Sequence, residues 1–114
     1  MGGVPDFKDV KYIRPDIDKF TELVRGVRLR LMTAKNVEIA DEAIGEYETA
    51  ISSFDTSYAL CQILHDIDTS DEFYRSEIEF FEEASGRVEE LASAFMTGLL
   101  NCPVAVQLRE NTVR

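Results

Sequence analysis

The sequence predicts an all-α protein in which one medium helix is followed by two long helices folded back as an antiparallel hairpin. Two observations carry the prediction. Apolar residues recur in steps of three and four through most of the 114 residues, the rhythm of one helix face. Alternation of the strand type is absent, except as a weak signal between Val4 and Ile13.

The elements follow in order. Residues 1–15 read as an extended arm, because Gly2, Gly3 and Pro5 discourage regular structure and Pro15 turns Arg14 away from the helical region. Residues 16–114 read as a single helical domain. Pro15 and Asp16 suit a first helical turn, and Ile17, Phe20, Val24, Val27 and Leu31 then mark one face of a helix over about residues 16–34. Asn36 is a suitable N-cap for a second helix over about 37–66, with the stripe Ala40, Ala43, Ile44, Tyr47, Ile51, Phe54, Tyr58 and Cys61. About thirty helical residues span about 45 Å, so this helix needs a long partner. A third helix over about 70–100 supplies it, with one stripe through Tyr74, Ile78, Phe81, Ser85, Val88, Ala92, Phe95 and Leu99. A second stripe beside it runs through Phe73, Phe80, Ala84 and Leu91. Two adjacent stripes make a face wide enough for two neighbours. Asn101-Cys102-Pro103 ends this helix, and the tail from Val104 either adds a short helical turn or frays.

Composition narrows the function. A net charge of −10 leaves no basic excess for phosphates, which argues against nucleic acid and against an anionic membrane surface. No run of 18 apolar residues offers a membrane span, and "MGGVPDFKDVKY" has no signal-peptide core. The local run Arg25, Arg28, Arg30 and Lys35 reads as a solvated helix face. Cys61 and Cys102 stand far apart without zinc spacing. They read as small core residues in a reducing, cytoplasmic compartment.

The stretch "HDIDTSDEFY" (65–74) holds the chain's one histidine and is the best candidate for chemistry. A zinc-peptidase helix needs a second histidine four residues on, where this chain has Thr69. A di-iron bundle needs two Glu-x-x-His pairs, and Gln62 stands three before His65. A calcium loop fits Asp66 and Asp68 as early ligands and Glu77 as the twelfth, but its turn position is Asp71 instead of glycine. The structural reading explains more residues. Thr69 as N-cap with Glu72 reaching back forms a capping box, and Asp71 and Glu72 place negative charge at the helix start. His65 then suits the end of the preceding helix. No catalytic residue and no metal ligand set is assigned by this reading.

Other acidic positions offer less. Asp18, Glu22, Glu38, Asp41, Glu42, Glu46 and Glu48 are wet helix faces. Glu79-x-x-Glu82, with Glu83, Glu89 and Glu90, resembles half of the magnesium site of all-α nucleotide pyrophosphohydrolases, and a second half is missing. Ser52, Ser53 and Ser57 have no base nearby in sequence, and no phosphate loop exists.

"KYIRPDIDKF" (11–20), "FDTSYALCQILHDIDTSDEFYRSEIEFFEE" (54–83) and "LLNCP" (99–103) together resemble the N-terminal region of oligoendopeptidase F-type zinc metallopeptidases. The match runs through Tyr12, Arg14, Pro15, His65, Ile67, Asp68, Thr69, Asp71, Glu72, Phe73 and Tyr74. The resemblance implies an almost wholly helical, cytoplasmic peptidase acting on short peptides. Its N-terminal helices wall the substrate channel, and its zinc ligands and catalytic glutamate lie outside this region. It implies no cofactor within this chain and no catalytic role for any residue here.

The expected function is therefore a non-catalytic helical lobe of such a peptidase, as a fragment or a free-standing remnant, with the remainder of the enzyme as its partner. Alone, it is expected to expose apolar surface and form a homo-oligomer, most simply a dimer. The rival expectation is a stand-alone acidic interaction module, and a third is the magnesium-dependent nucleotide hydrolase.

Overall fold

The computed structural model describes residues 12–112, with side chains described through Leu108. The first eleven residues of the expected arm lie outside the described residues. Among those described, four helices follow in order: α1 (Ile17–Thr33), α2 (Val37–Ile67), α3 (Glu72–Leu100) and α4 (Ala105–Thr112). No strand is present among them, and no helix is long and apolar enough to cross a membrane.

Local chemistry sets the boundaries. Asp16 lies just outside α1, where its side chain accepts from the Lys19 amide at 3.1 Å. It is thus the N-cap, with Pro15 before it, rather than a first-turn residue. Asn36 caps α2 as expected, accepting from the Ile39 amide at 2.9 Å and satisfying a donor that the first turn leaves open. After Pro103 the tail resolves into α4, whose Leu108 is buried.

Contacts across the hairpin fix its direction. Tyr47 stacks on Phe95 with ring centroids 3.9 Å apart, and Tyr58 stacks on Phe81 at 4.8 Å. The Cys61 thiol lies 3.7 Å from the Tyr74 carbonyl oxygen. As residue number rises on α2 it falls on α3, so the two helices are antiparallel. Each of the two stripes expected on α3 is buried in part, and Phe73 of the second is 54% exposed. Phe81, Ala84, Leu91 and Phe95 are buried, whereas Ser85 is exposed and Tyr74 and Ile78 are only half-buried. The buried direction lies between the stripes because α1 and α2 press on α3 from two sides.

The core is divided. One cluster joins α1, the first half of α2 and the end of α3 through Phe20, Val24, Val27, Leu31, Tyr47 and Phe95. It also takes in Cys102, Val104 and Leu108. The other lies at the hairpin corner around Phe54, Cys61, Phe81 and Ala84. Both cysteines are free and buried. The radius of gyration is 17.6 Å and the extents are 52 × 35 × 18 Å. A compact domain of this length has a radius of about 13 Å. The chain is a slab about two helices thick.

α1 approaches α3 closely at Gly98. A Cβ there would stand 3.0 Å from Arg28 Cγ and 3.2 Å from Arg28 Cα. Because the second atom is backbone, Gly98→Ala must push α1 away. We expect a loss of about 1–3 kcal/mol from overpacking, offset in part by up to about 1 kcal/mol of better helix propensity. Gly86, where a Cβ would meet nothing within 4 Å, is the internal control. Gly86→Ala should raise the thermal midpoint and Gly98→Ala should lower it.

Candidate functional site

The corner between α2 and α3 is built by two aspartates. Asp68 terminates α2, with its amide bonded to the Leu64 carbonyl at 3.2 Å. Its carboxylate accepts from the Ser70 hydroxyl at 2.6 Å and the Ser70 amide at 3.1 Å. These bonds hold the Asp68 carboxyl below its ordinary range, the hydroxyl bond most of all. Asp71 then starts α3, accepting from the Phe73 amide at 2.9 Å. This corrects the expected cap. The N-cap is Asp71 and not Thr69, and Glu72 is the first helical residue rather than the third. The physical reason is that aspartate caps at least as well as threonine, while Ser70 is engaged by Asp68 in the turn. Asp71→Ala should cost about 1 kcal/mol, read as a shift in the urea midpoint without change of slope.

A twelve-residue calcium loop does not form. Asp66 lies in the last turn of α2, Asp68 caps it, and Glu77 lies within α3. Among the described residues no group of three or more His, Cys, Asp or Glu side chains could hold a metal ion. His65 ends α2 as expected, half-buried, with its Nδ1 enclosed and without a hydrogen-bond partner. Glu79, Glu82, Glu83, Glu89 and Glu90 are all exposed on α3. Arg30 of the basic run forks onto Glu46 of α2 at 2.6 and 2.9 Å, and Arg25 bonds Glu22 at 3.1 Å.

The most organised polar group is centred on Glu77. Its side chain is almost wholly buried on the face of α3 that also carries Phe81 and Ala84. Arg14 approaches from the segment before α1, donating from Nε to Oε1 at 3.0 Å and from Nη2 to Oε2. The Tyr12 hydroxyl donates to Oε1 at 2.8 Å. The Arg14 guanidinium also lies 4.3 Å from the centre of the Phe80 ring. Tyr12 sits edge-on to Phe73, Tyr74 and Phe81 at 6.3–6.4 Å. The Arg14 bonds hold the Glu77 carboxyl below its ordinary range, against the opposing effect of burial. The Tyr12 hydroxyl is pushed up, by burial first and by its bond to Glu77 second. Both Glu77 oxygens and the Tyr12 hydroxyl are engaged within the group, while the Arg14 side chain stays half exposed. The arrangement fastens Tyr12 and Arg14 to α3.

Sequence reasoning had these residues but did not join them. Glu77 stood among the calcium candidates, and Tyr12 and Arg14 among the residues of the resemblance. The available signal was a carboxylate between Tyr74 and Phe81 in an apolar stripe, since such a group needs a cation. The linkage has a definite sign. A carboxyl whose folded pKa lies below its unfolded value of 4.5 adds stability above that pH and loses it as pH falls through the folded value. The chain should therefore lose stability below about pH 4.5. Glu77→Gln should flatten that acid limb when urea midpoints are measured across pH.

Comparison with known proteins follows the same lines. A family model described as Peptidase M3 N-terminal domain matches residues 7–114. No curated protein matches the chain. A solved structure described as PZ peptidase A with inhibitor 2 is similar, with 32% sequence identity and a TM-score of 0.85. The match covers 93% of this chain and 19% of that one, so the present chain spans about a fifth of that peptidase.

Proposed function

Because this chain belongs to the peptidase M3 N-terminal domain family, we propose that it is the non-catalytic N-terminal helical lobe of a zinc peptidase of oligoendopeptidase F type. In this reading it forms one wall of the channel that admits short peptides. The observation that carries the reading is the asymmetry of coverage. Nearly all of this chain is reproduced in a peptidase structure of which it is only a fifth. The slab-like shape and divided core suit a wall that leans on a larger body. Zinc does not fit the residues present, since a single histidine and no donor cluster among the described residues leave it to be bound outside this chain. A cytoplasmic setting belongs to the same reading.

A chimera tests it. The region of PZ peptidase A matched by this chain is replaced by residues 7–114, and cleavage of a short fluorogenic peptide is followed. Zinc-dependent cleavage is the expected result. A soluble, zinc-loaded chimera that turns over no peptide would sink the lobe reading.

A second reading, a stand-alone module that pairs with itself, draws on Met96 and Leu100, 48% and 77% exposed on α3 in a stretch without charge from Leu91 to Leu108. Sedimentation at high micromolar concentration is expected to show a dimer that Met96→Ser/Leu100→Ser returns to monomer. The lobe reading accommodates this, because a face made for a larger body self-associates when that body is missing.

A further inference from the structure

Among the described residues, α2 is packed chiefly along one of its two faces. Ala40, Ala43, Tyr47, Phe54 and Cys61 are buried on the inner face. At about 100° per residue, the opposite face carries Thr49, Ser52, Thr56, Leu60, Ile63 and Ile67. These follow steps of three and four, the spacing by which one helix receives another along a seam. Thr49, Ser52 and Thr56 are exposed and Leu60 is half-buried. Ile63 and Ile67 are 40% and 58% exposed. An outward helix face in water carries charge; this seam carries none over about 27 Å.

Gly45 lies one turn upstream, half-buried where the seam borders Leu23 of α1. Glycine weakens a helix interior, and a Cβ at Gly45 would meet nothing within 4 Å. Nothing among the described residues requires glycine there, whereas another helix arriving from outside could use the space.

The flank of the seam says what kind of helix arrives. Asp41, Glu48 and Asp55, spaced seven apart, lie along one side with Asp66 beyond them, and all are exposed. α2 contains no lysine and no arginine. A second copy of this chain laid seam to seam would set carboxylates against carboxylates in either orientation. A helix with lysine or arginine at its flanking positions would pair with them. We infer that the outer seam of α2 receives a single amphipathic helix with an apolar centre and a basic flank. The inference rests on the lobe reading for its source, which is the remainder of the peptidase chain.

The probe for this recognition is a synthetic helix of about three heptads with a leucine seam and lysine flanks, and a twin with glutamate flanks. Binding to the 114-residue chain is read by fluorescence anisotropy. The lysine helix is expected to bind, and its twin to bind at least about tenfold more weakly, as charge complementarity requires. Ile63→Ser/Ile67→Ser, which leaves the net charge unchanged, should raise the Kd at least about tenfold. Thr56→Lys, at an exposed position, should do the same. Met96→Ser/Leu100→Ser should leave it unchanged. Equal binding by the wild-type chain and the seam variants would show only attraction to an acidic protein and would overturn the proposal. So would no binding of the lysine helix, or a wild-type dimer abolished by the Ile63/Ile67 change. The chimera gives an independent answer. Seam binding with an inactive chimera removes the lobe reading alone, and an active chimera without seam binding removes the seam alone.

Discussion

Phe81→Ala is expected to be the most damaging single change in this chain, costing about 4 kcal/mol. The ring is fully buried. It stacks on Tyr58 at 4.8 Å and meets Phe54 and Phe80 edge-on at 5.3 Å. Tyr12 lies at 6.4 Å. Removing it opens a void that four surrounding rings cannot all close, because each is held by a different element or turn. The corner cluster has few other buried residues, so no neighbouring contact replaces the loss. Urea unfolding followed by helical circular dichroism measures it. A cost below about 1.5 kcal/mol, the range of volume-conserving swaps, would mean that the corner is loosely packed and that Phe81 is not its centre.

The second large effect is expected at Glu77. Glu77→Leu removes the acceptor of three hydrogen bonds and leaves the Tyr12 hydroxyl and Arg14 without a partner. Breaking a fully buried pair costs about 3–5 kcal/mol, but the Arg14 side chain is 52% exposed and regains water. About 2–3 kcal/mol is the expected loss once that screening is allowed for. Arg14→Ala in the Glu77→Leu background should then cost little further, so the double-mutant cycle should show strong coupling. Additive losses would mean that Arg14 contributes through Phe80 rather than through the carboxylate. Amides near Tyr12 should also exchange faster in the Glu77→Leu chain, since that segment loses its attachment to α3.

The hairpin was legible in the sequence because its information is local. The stripes on α2 and α3 repeat along each helix, Asn36 announces its own cap, and a corner between the stripes is required whatever its details. The corner's details were less legible. Thr69 and Asp71 are both good caps within the same four residues, and the choice depended on Ser70 being engaged by Asp68. The attachment at Glu77 was not legible, because its partners lie 63 and 65 residues away. Periodicity can show that a carboxylate falls on a buried face but cannot say what reaches it. The packing of α1 was likewise only half visible. Its apolar face was plain, but the approach at Gly98 depends on which of two stripes α3 turns toward it.

The division of the core into two clusters bears on how the chain opens. α2 and α3 run through both clusters, but α1 and the tail are buried chiefly in one, and the attachment of Tyr12 and Arg14 belongs to the other. Among the described residues, Val88 is the one packed against both clusters. Cooperative units of this kind exchange their amide protons by separate openings. Hydrogen exchange should therefore resolve two protection levels within single helices, with a step near the middle of α2 and of α3. A body seated along α2 would bridge that step. It would join the two units into one and slow both together.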